Sequence, residues 1–177
     1  GQINASMPAF VVERVSEALN TLRKPINGSR VHIFGVAYKK DVSDMRESPA
    51  IDVIELLHRR GAVLSYTDPY VPTFEQGELS LTSVPEAEAG TGIDCAVVCT
   101  NHAVFEYAAL PKRFPLVVDT RNALKGISAP NAEVVDGTGR LAIKLGRFGA
   151  FIGCCGCGLW WRFFGEPITS WASQPTS

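Results

Sequence analysis

The chain has 177 residues, of which 46% are apolar and 20% are charged, so it is long enough for one domain with a sizeable core. Its formal net charge of −1 gives no field that would attract nucleic acid or an acidic membrane surface, and neither is expected as a partner. Any anion must therefore be bound by lysine and arginine side chains placed locally.

Targeting and membrane-spanning segments are not evident in the sequence. No charged n-region followed by an apolar h-region begins the chain, so the cytoplasm is the expected location. Because Gly1 stands where a methionine would start a gene product, we expect the chain to begin partway through a longer one. The uncharged run at 148–161 has 14 residues, fewer than the about 20 that span a bilayer.

Residues 4–22 are predicted to form a helix. Ser6 or Met7 would cap it, and Pro8 would lie in its first turn. One apolar stripe runs along this helix, formed by Val11, Val15, Ala18, Leu19 and Leu22. The stripe is either core or partner surface, and we expect exposed apolar surface here.

The run at residues 31–36 is apolar, contains Gly35 and leads into a charged loop, as expected of a buried parallel strand. The loop carries an aromatic ring, three cations and three carboxylates: Tyr38, Lys39, Lys40, Arg46, Asp41, Asp44 and Glu47. Open α/β sheets bind ligands at the carboxyl ends of their strands, so the loop is predicted to meet an anion. The alternative is a surface turn whose charges neutralise each other.

The exit of this loop is predicted to start a helix, with Ser48 as N-cap and Pro49 at the first position. Its apolar face is formed by Ile51, Val53, Ile54 and Leu57, and its end is marked by Arg59, Arg60 and Gly61. The preceding turn lacks the G-x-G-x-x-G spacing that brings a backbone close to a pyrophosphate. Side chains must therefore hold any phosphate bound here.

The remainder of the chain continues the alternation of strands and helices. Strands are predicted at 62–66, 93–100, 116–119 and 133–136, a short edge strand within 75–83, and short helices at 85–89 and 105–110. The sequence thus predicts an α/β fold with a mostly parallel sheet. Residues 133–136 are the last predicted strand, followed by a turn at 137–139.

Polar residues follow the predicted strands. Asp68 is either a ribose-binding carboxylate or the opening of a D-P turn, and the missing glycine fingerprint favours the turn. His102 is either a phosphate or sugar contact or a helix cap. Arg121 is a second strong anion-binding candidate, with an ion pair to Asp119 as the alternative.

Lys39 and Arg121 are 82 residues apart, yet the exits of two parallel strands can bring them together. A pyrophosphate requires such convergence. Arginine offers a planar fork for bidentate contact and lysine a compact charge, which suits a nucleoside diphosphate.

The five cysteines predict neither a disulfide framework nor a metal site. Cys154, Cys155 and Cys157 form a C-C-G-C cluster that matches no zinc spacing. No histidine is placed to activate a cysteine nucleophile. We expect no metal ligands and no catalytic residue in this chain.

Four motifs in order carry a resemblance: GQINASMP, GVAYKKDVSDMRESPA, TDPYVP and VVDTRNAL. Residues 1–145 resemble the C-terminal domain of the UDP-glucose/GDP-mannose dehydrogenase family, and within it the bacterial UDP-N-acetyl-glucosamine 6-dehydrogenase type. The resemblance implies a Rossmann-like domain preceded by the end of a long linker helix. It implies that Tyr38, Lys39 and Arg121 contact the nucleotide-sugar. Asn4, which is either a ligand contact or a cap, joins Arg46 and His102 as a further candidate.

Full-length members of this family oxidise the C6 alcohol of a UDP-sugar to a carboxylate in two steps with two NAD. Their NAD domain and catalytic cysteine and lysine lie upstream of the matching region, so the resemblance implies that this chain alone binds no NAD and is inactive. It further implies a homodimer through the N-terminal helix. The rival hypothesis is a non-catalytic UDP-binding or dimerisation module.

The predicted organisation has three parts. Residues 1–27 would be the end of the central, dimerising helix, and residues 28–145 the UDP-sugar-binding domain. Residues 146–177 change abruptly in composition, with three cysteines, three tryptophans and no helical or alternating period in their apolar run. We expect this tail to be an extension that is not under selection for a fold.

Deleting residues 146–177 should leave folding and UDP binding intact and improve solubility, because an uncharged aromatic run is an exposed apolar patch unless something covers it. Thermal unfolding of the truncated and full chains measures this. A midpoint lower by many degrees would show that the tail is part of the fold, with Trp160, Trp161 and Phe163 covering the apolar stripe of the N-terminal helix.

Overall fold

The computed structural model describes residues 2–77, 79–90, 92–128, 132–135 and 141–143. The predicted turn at 137–139 and the tail at 146–177 lie outside the described residues. The helices are α1 (Gln2–Thr21), α2 (Pro49–Arg59) and α3 (Leu110–Arg113), with a 3₁₀ turn at Tyr107–Ala109. The strands are β1 (Arg30–Phe34), β2 (Val63–Thr67), β3 (Thr73–Gln76), β4 (Leu79–Thr82), β5 (Cys95–Val98), β6 (Val117–Asp119), β7 (Ala132–Val135) and β8 (Leu141–Ile143).

One sheet dominates the described residues, with strand order β2-β1-β5-β6-β7-β8. In this order, β2, β1, β5, β6 and β7 each run parallel to the next strand, and β8 pairs antiparallel with β7. The predicted mostly parallel α/β sheet is therefore confirmed. The prediction that the last strand lies at 133–136 is wrong, because β8 adds an antiparallel edge strand after it.

Gly35, Ser48 and Pro49 determine where β1 ends and α2 begins, as predicted. Gly35 has a φ of 76°, and a Cβ there would collide with the carbonyl oxygen of Thr100, so only glycine fits the turn after β1. The Ser48 hydroxyl accepts a hydrogen bond from the Ala50 N–H at 3.3 Å and caps α2. Pro49 occupies the first helical position.

Helix α1 differs from its prediction at its start. It begins at Gln2, so Pro8 lies inside the helix and neither Ser6 nor Met7 caps it. Pro8 removes one backbone hydrogen bond, but the helix continues on both sides of it. In the described part of the chain, no helix is long and apolar enough to cross a membrane.

The apolar stripe of α1 belongs to the core. Val11, Val15, Ala18 and Leu19 are buried, together with Val12, and α1 packs on α2 and on the sheet. Leu22, at the C-terminal end of the stripe, is 41% exposed. Apart from Leu22, the stripe does not form the expected exposed apolar surface, because α2 and the sheet of the same chain cover it.

Several minor elements also differ from prediction. The predicted edge strand within 75–83 is a separate antiparallel hairpin of β3 and β4. Residues 85–89 form turns rather than a helix, and the helix predicted at 105–110 is displaced to the 3₁₀ turn and α3. These segments lack the long apolar period that defines α2.

His32 of β1 is fully buried and is held by two hydroxyl groups. Thr67 uses its proton to donate to the Val84 carbonyl at 2.7 Å, so its oxygen accepts from His32 Nε2 at 3.0 Å. Ser65 then donates to Nδ1 at 2.8 Å. Burial, with the nearby charge of Arg113, lowers the pKa of His32 from 6.5 to about 4. The folded state thus favours the neutral ring.

We predict that acid destabilises the fold through His32. His32 takes up a proton near pH 6.5 in the unfolded chain but only near pH 4 in the folded chain. The contribution of the neutral ring to the free energy of unfolding is therefore complete above pH 6.5. It falls by about 3 kcal/mol as the pH drops through that window. Urea unfolding at several pH values should show a shallower pH dependence for His32→Gln. His58→Gln, at an exposed histidine of α2, is the matched control and should retain the wild-type slope.

Candidate functional site

A cleft of about 380 Å³ lies at the carboxyl edge of the sheet. Its walls come from α1, the β1 exit loop, the start of α2, and the exits of β5 and β6. The lining residues are Met7, Pro8, Val11, Tyr38, Lys39, Pro49, Ala50, Val53, Cys99, Thr120 and Arg121. The cleft therefore combines two cations and an aromatic ring with an apolar wall.

Lys39 and Arg121 both line this cleft, although 82 residues separate them. Parallel pairing places β1 beside β5 and β5 beside β6, so the loops that follow β1 and β6 open at the same edge. The convergence inferred from the sequence is what the fold produces. Lys40 is exposed and does not line the cleft.

Arg121 is fixed by main-chain groups. Its Nε donates to the Cys99 carbonyl at 2.7 Å. Both oxygens of buried Asp119 accept backbone N–H groups, from Arg121 at 2.9 Å and from Leu124 at 2.8 Å. Asp119 thus holds the backbone of Arg121 rather than its guanidinium group, in contrast to the alternative of an ion pair. The guanidinium edge is left for the cleft.

Tyr38 and Lys39 lie at the tip of the β1 exit loop. Tyr38 is 42% exposed, and Lys39 Nζ is 5.4 Å from the centre of its ring. The Tyr38 N–H donates to the Asp44 carbonyl at 2.7 Å and closes the loop. The ring and the ammonium group are therefore presented together.

Arg46 is paired within the same loop instead of facing the cleft. Its Nε and Nη2 donate to the two oxygens of Asp44 at 3.1 and 3.0 Å. The hydrogen bond from Arg46 is the main cause that lowers the pKa of Asp44. Arg46 is not among the residues that line the cleft. Asp44 and Arg46 thus neutralise each other, as the alternative of a self-neutralising surface turn expects for this pair.

The structure also locates three further candidates, Asn4, His102 and Asp68. Asn4 lies inside α1, so it is not a cap, and its side chain is outside the described residues. His102 is fully buried, and its ring bonds to Asp68 and to the backbone of Asp41. It therefore neither caps a helix nor lines the cleft. Asp68 forms the predicted turn by accepting from the Tyr70 N–H at 2.9 Å.

The α1 wall of the cleft was not foreseen. Met7, Pro8 and Val11 carry no polar signal, and only the packing of α1 on the sheet brings them to the site. Cys99 also lines the cleft, and burial raises the pKa of its thiol to about 12, partly opposed by Arg121. A thiol held protonated is a poor nucleophile. Among the described residues, no three His, Cys, Asp or Glu side chains are grouped to hold a metal, and the C-C-G-C cluster lies outside them.

Comparison with known proteins gives consistent matches. A relative, UDP-N-acetyl-D-mannosamine dehydrogenase of Methanococcus maripaludis, is 36% identical over 132 residues, covering 70% of this chain and 29% of the relative. The UDP-N-acetyl-mannosamine dehydrogenase of Staphylococcus aureus aligns with a TM-score of 0.58 and 28% identity, over 75% of this chain and 31% of that one. The UDP-glucose dehydrogenase of Pyrobaculum islandicum aligns with a TM-score of 0.57 and 28% identity, over 76% and 30%.

The chain spans about 29% of the length of the curated relatives that it matches first. These relatives are named for N-acetyl-mannosamine nucleotides, whereas the sequence motifs resembled the N-acetyl-glucosamine type within the same family. Residues 32–126 match the UDP binding domain of the UDP-glucose/GDP-mannose dehydrogenase family. This match covers more than half of the chain and includes the β1 exit loop and Arg121. The chain belongs to the UDP-glucose/GDP-mannose dehydrogenase family.

Proposed function

We propose that the cleft binds the nucleoside diphosphate part of a UDP-sugar, with Lys39 and Arg121 on the diphosphate. The observation that carries the proposal is that these two cations, from opposite ends of the domain sequence, line one cleft. Tyr38 and the apolar wall from α1 and α2 offer surface to the nucleoside or sugar. Membership of the family supports the choice of uridine diphosphate over other anions.

The electrostatics of the cleft favour a diphosphate. Arg121 supplies a planar fork, Lys39 a compact charge, and the first turn of α2 lies in the same wall. The positive end of a helix stabilises nearby anions. Because Asp44 pairs with Arg46 and Asp119 bonds to backbone N–H groups, neither carboxylate neutralises the two cations of the cleft.

We further propose that the chain acts as the UDP-sugar-binding part of an NAD-dependent 6-dehydrogenase. In such an enzyme NAD accepts the hydrides as the C6 alcohol becomes a carboxylate. The residues of this chain do not fit NAD, since no G-x-G-x-x-G occurs: after Gly35, the second and third glycine positions hold Ala37 and Lys40. Its own contribution is to bind and orient the nucleotide, and alone it should be inactive.

The proposal includes the division of the chain into a helix at 1–27, a UDP-sugar-binding domain at 28–145 and a tail at 146–177. It also includes a homodimer that forms through α1. Val11, Val12, Val15 and Leu19 already pack on the sheet of their own chain. A dimer contact would therefore use the exposed side of α1, which carries Ala9, Glu13, Glu17 and Asn20. A non-catalytic UDP-binding module remains the alternative function, and it shares the same cleft.

Replacing either cleft cation should weaken UDP binding without unfolding the domain. Charge-assisted phosphate contacts contribute about 1.5 to 3 kcal/mol each, so Lys39→Ala or Arg121→Ala should raise the Kd about tenfold or more. Isothermal titration measures the Kd, and a thermal melt checks folding. Lys40→Ala is the matched control, since Lys40 adds the same charge one residue outside the cleft. Equal losses at Lys39 and Lys40 would indicate a diffuse field instead of a site.

Ligand choice gives a second prediction. The full chain should bind UDP and UDP-N-acetyl-hexosamines with similar affinity, because Lys39 and Arg121 contact the shared diphosphate. It should not bind NAD, since the glycine fingerprint is missing. Titration with the three ligands measures this, and tight NAD binding without UDP binding would overturn the proposed function.

A further inference from the structure

We propose that Asp68 and His102 are positioning residues that hold the β1 exit loop in the conformation that presents Lys39 to the cleft. This inference rests on the proposed function of the cleft. Neither residue lines the cleft, and both are buried. They act through the backbone of residues 36–41.

Asp68 fixes the start of the loop. Its Oδ2 accepts hydrogen bonds from the N–H groups of Val36 at 2.8 Å and Ala37 at 3.1 Å. The Thr100 hydroxyl donates to the Ala37 carbonyl at 2.6 Å. Both backbone groups of Ala37 are thereby bound by residues from the exits of two other strands, β2 and β5.

His102 fixes the end of the same segment. Its Nδ1 accepts a hydrogen bond from the Asp41 N–H at 2.9 Å. Because Nδ1 is an acceptor, the proton of the neutral ring lies on Nε2, which donates to Asp68 Oδ2 at 3.1 Å. The ring thus joins the two anchors into one network, and its tautomer is set by them.

Asp41 adds a second contact at this end. Its φ of 58° lies in the left-handed region, which residues other than glycine adopt infrequently and aspartate more readily than most. Its Oδ1 accepts from the Ala103 N–H at 2.9 Å. Tyr38, Lys39 and Lys40 therefore form a short bridge between two anchored residues, Ala37 and Asp41.

The consequence is preorganisation. A lysine on an unanchored loop would lose conformational freedom on binding, which reduces affinity. The anchors order the backbone on either side of Lys39 before the ligand arrives. Removing one anchor should therefore weaken UDP binding although no ligand contact is lost.

The first test uses two variants that each keep half of the His102 ring's hydrogen bonding. His102→Asn places an oxygen near the Nδ1 position, where it can accept from Asp41, whereas His102→Gln can reach Asp68 but places no acceptor for Asp41. In the full chain, titration with UDP should show a loss of about tenfold for His102→Gln and less than about threefold for His102→Asn. Hydrogen exchange of residues 36–41 without UDP should be faster only in His102→Gln. Tyr107→Phe, which removes a hydrogen bond to the His102 carbonyl but leaves the ring, is the matched control and should bind as the wild type does.

The second test uses an exposed residue, so that folding is not at stake. Asp41→Ala and Asp41→Asn remove the same charge, but only asparagine keeps an oxygen for the Ala103 N–H. Asp41→Ala should bind UDP about fivefold more weakly than Asp41→Asn. Equal UDP affinities within both pairs, with the wild type binding, would overturn the positioning role and leave the proposed function intact. A wild-type chain that does not bind UDP would overturn the proposed function and this inference with it.

Discussion

The buried carboxylate of Asp68 ties together the ends of three neighbouring strands. It follows β2, accepts N–H groups from the loop after β1, and bonds to His102 after β5. A buried carboxylate is costly unless hydrogen bonds replace its water, and here four N–H groups do so. The same bonds that stabilise the charge fix the backbone that carries Lys39. Stability and site geometry therefore depend on one group.

The distribution of charges around this edge explains why some cations serve the cleft and others do not. Asp44 binds Arg46 at the loop surface, and Asp119 binds the backbone that carries Arg121. Both carboxylates thus accept hydrogen bonds from other groups, while the ammonium group of Lys39 and the guanidinium edge of Arg121 face the cleft. A formal charge near zero is compatible with an anion site because the charges are separated by position.

The sequence predicts the structure well where its signals are local. Ser48 and Pro49 marked the start of α2, and Gly35 marked the turn after β1, because each acts within a few residues. The convergence of Lys39 and Arg121 followed from the rule that parallel strands open at one edge. The predicted position of Pro8 in the first turn of α1 is wrong, because proline favours a first turn but does not prevent the helix from extending upstream of it.

Contacts between segments that are distant in the sequence could not be predicted in the same way. His102 bonds to residues 34 and 61 positions away, and nothing in its neighbours distinguishes a buried network from a cap. Met7 and Val11 became cleft residues only through the packing of α1 on the sheet. Strand β8 is short and pairs at an edge, so it lacks the apolar run that identified β5.

A crystal structure of the full chain with UDP bound would test the diphosphate site most directly. We expect the diphosphate to lie between Lys39 Nζ and the Arg121 guanidinium group, with the loop at 36–41 unchanged and the Asp68–His102 bond retained. A diphosphate bound elsewhere, such as in the cleft between α2 and the β3–β4 hairpin near His58 and Gln76, would contradict this expectation.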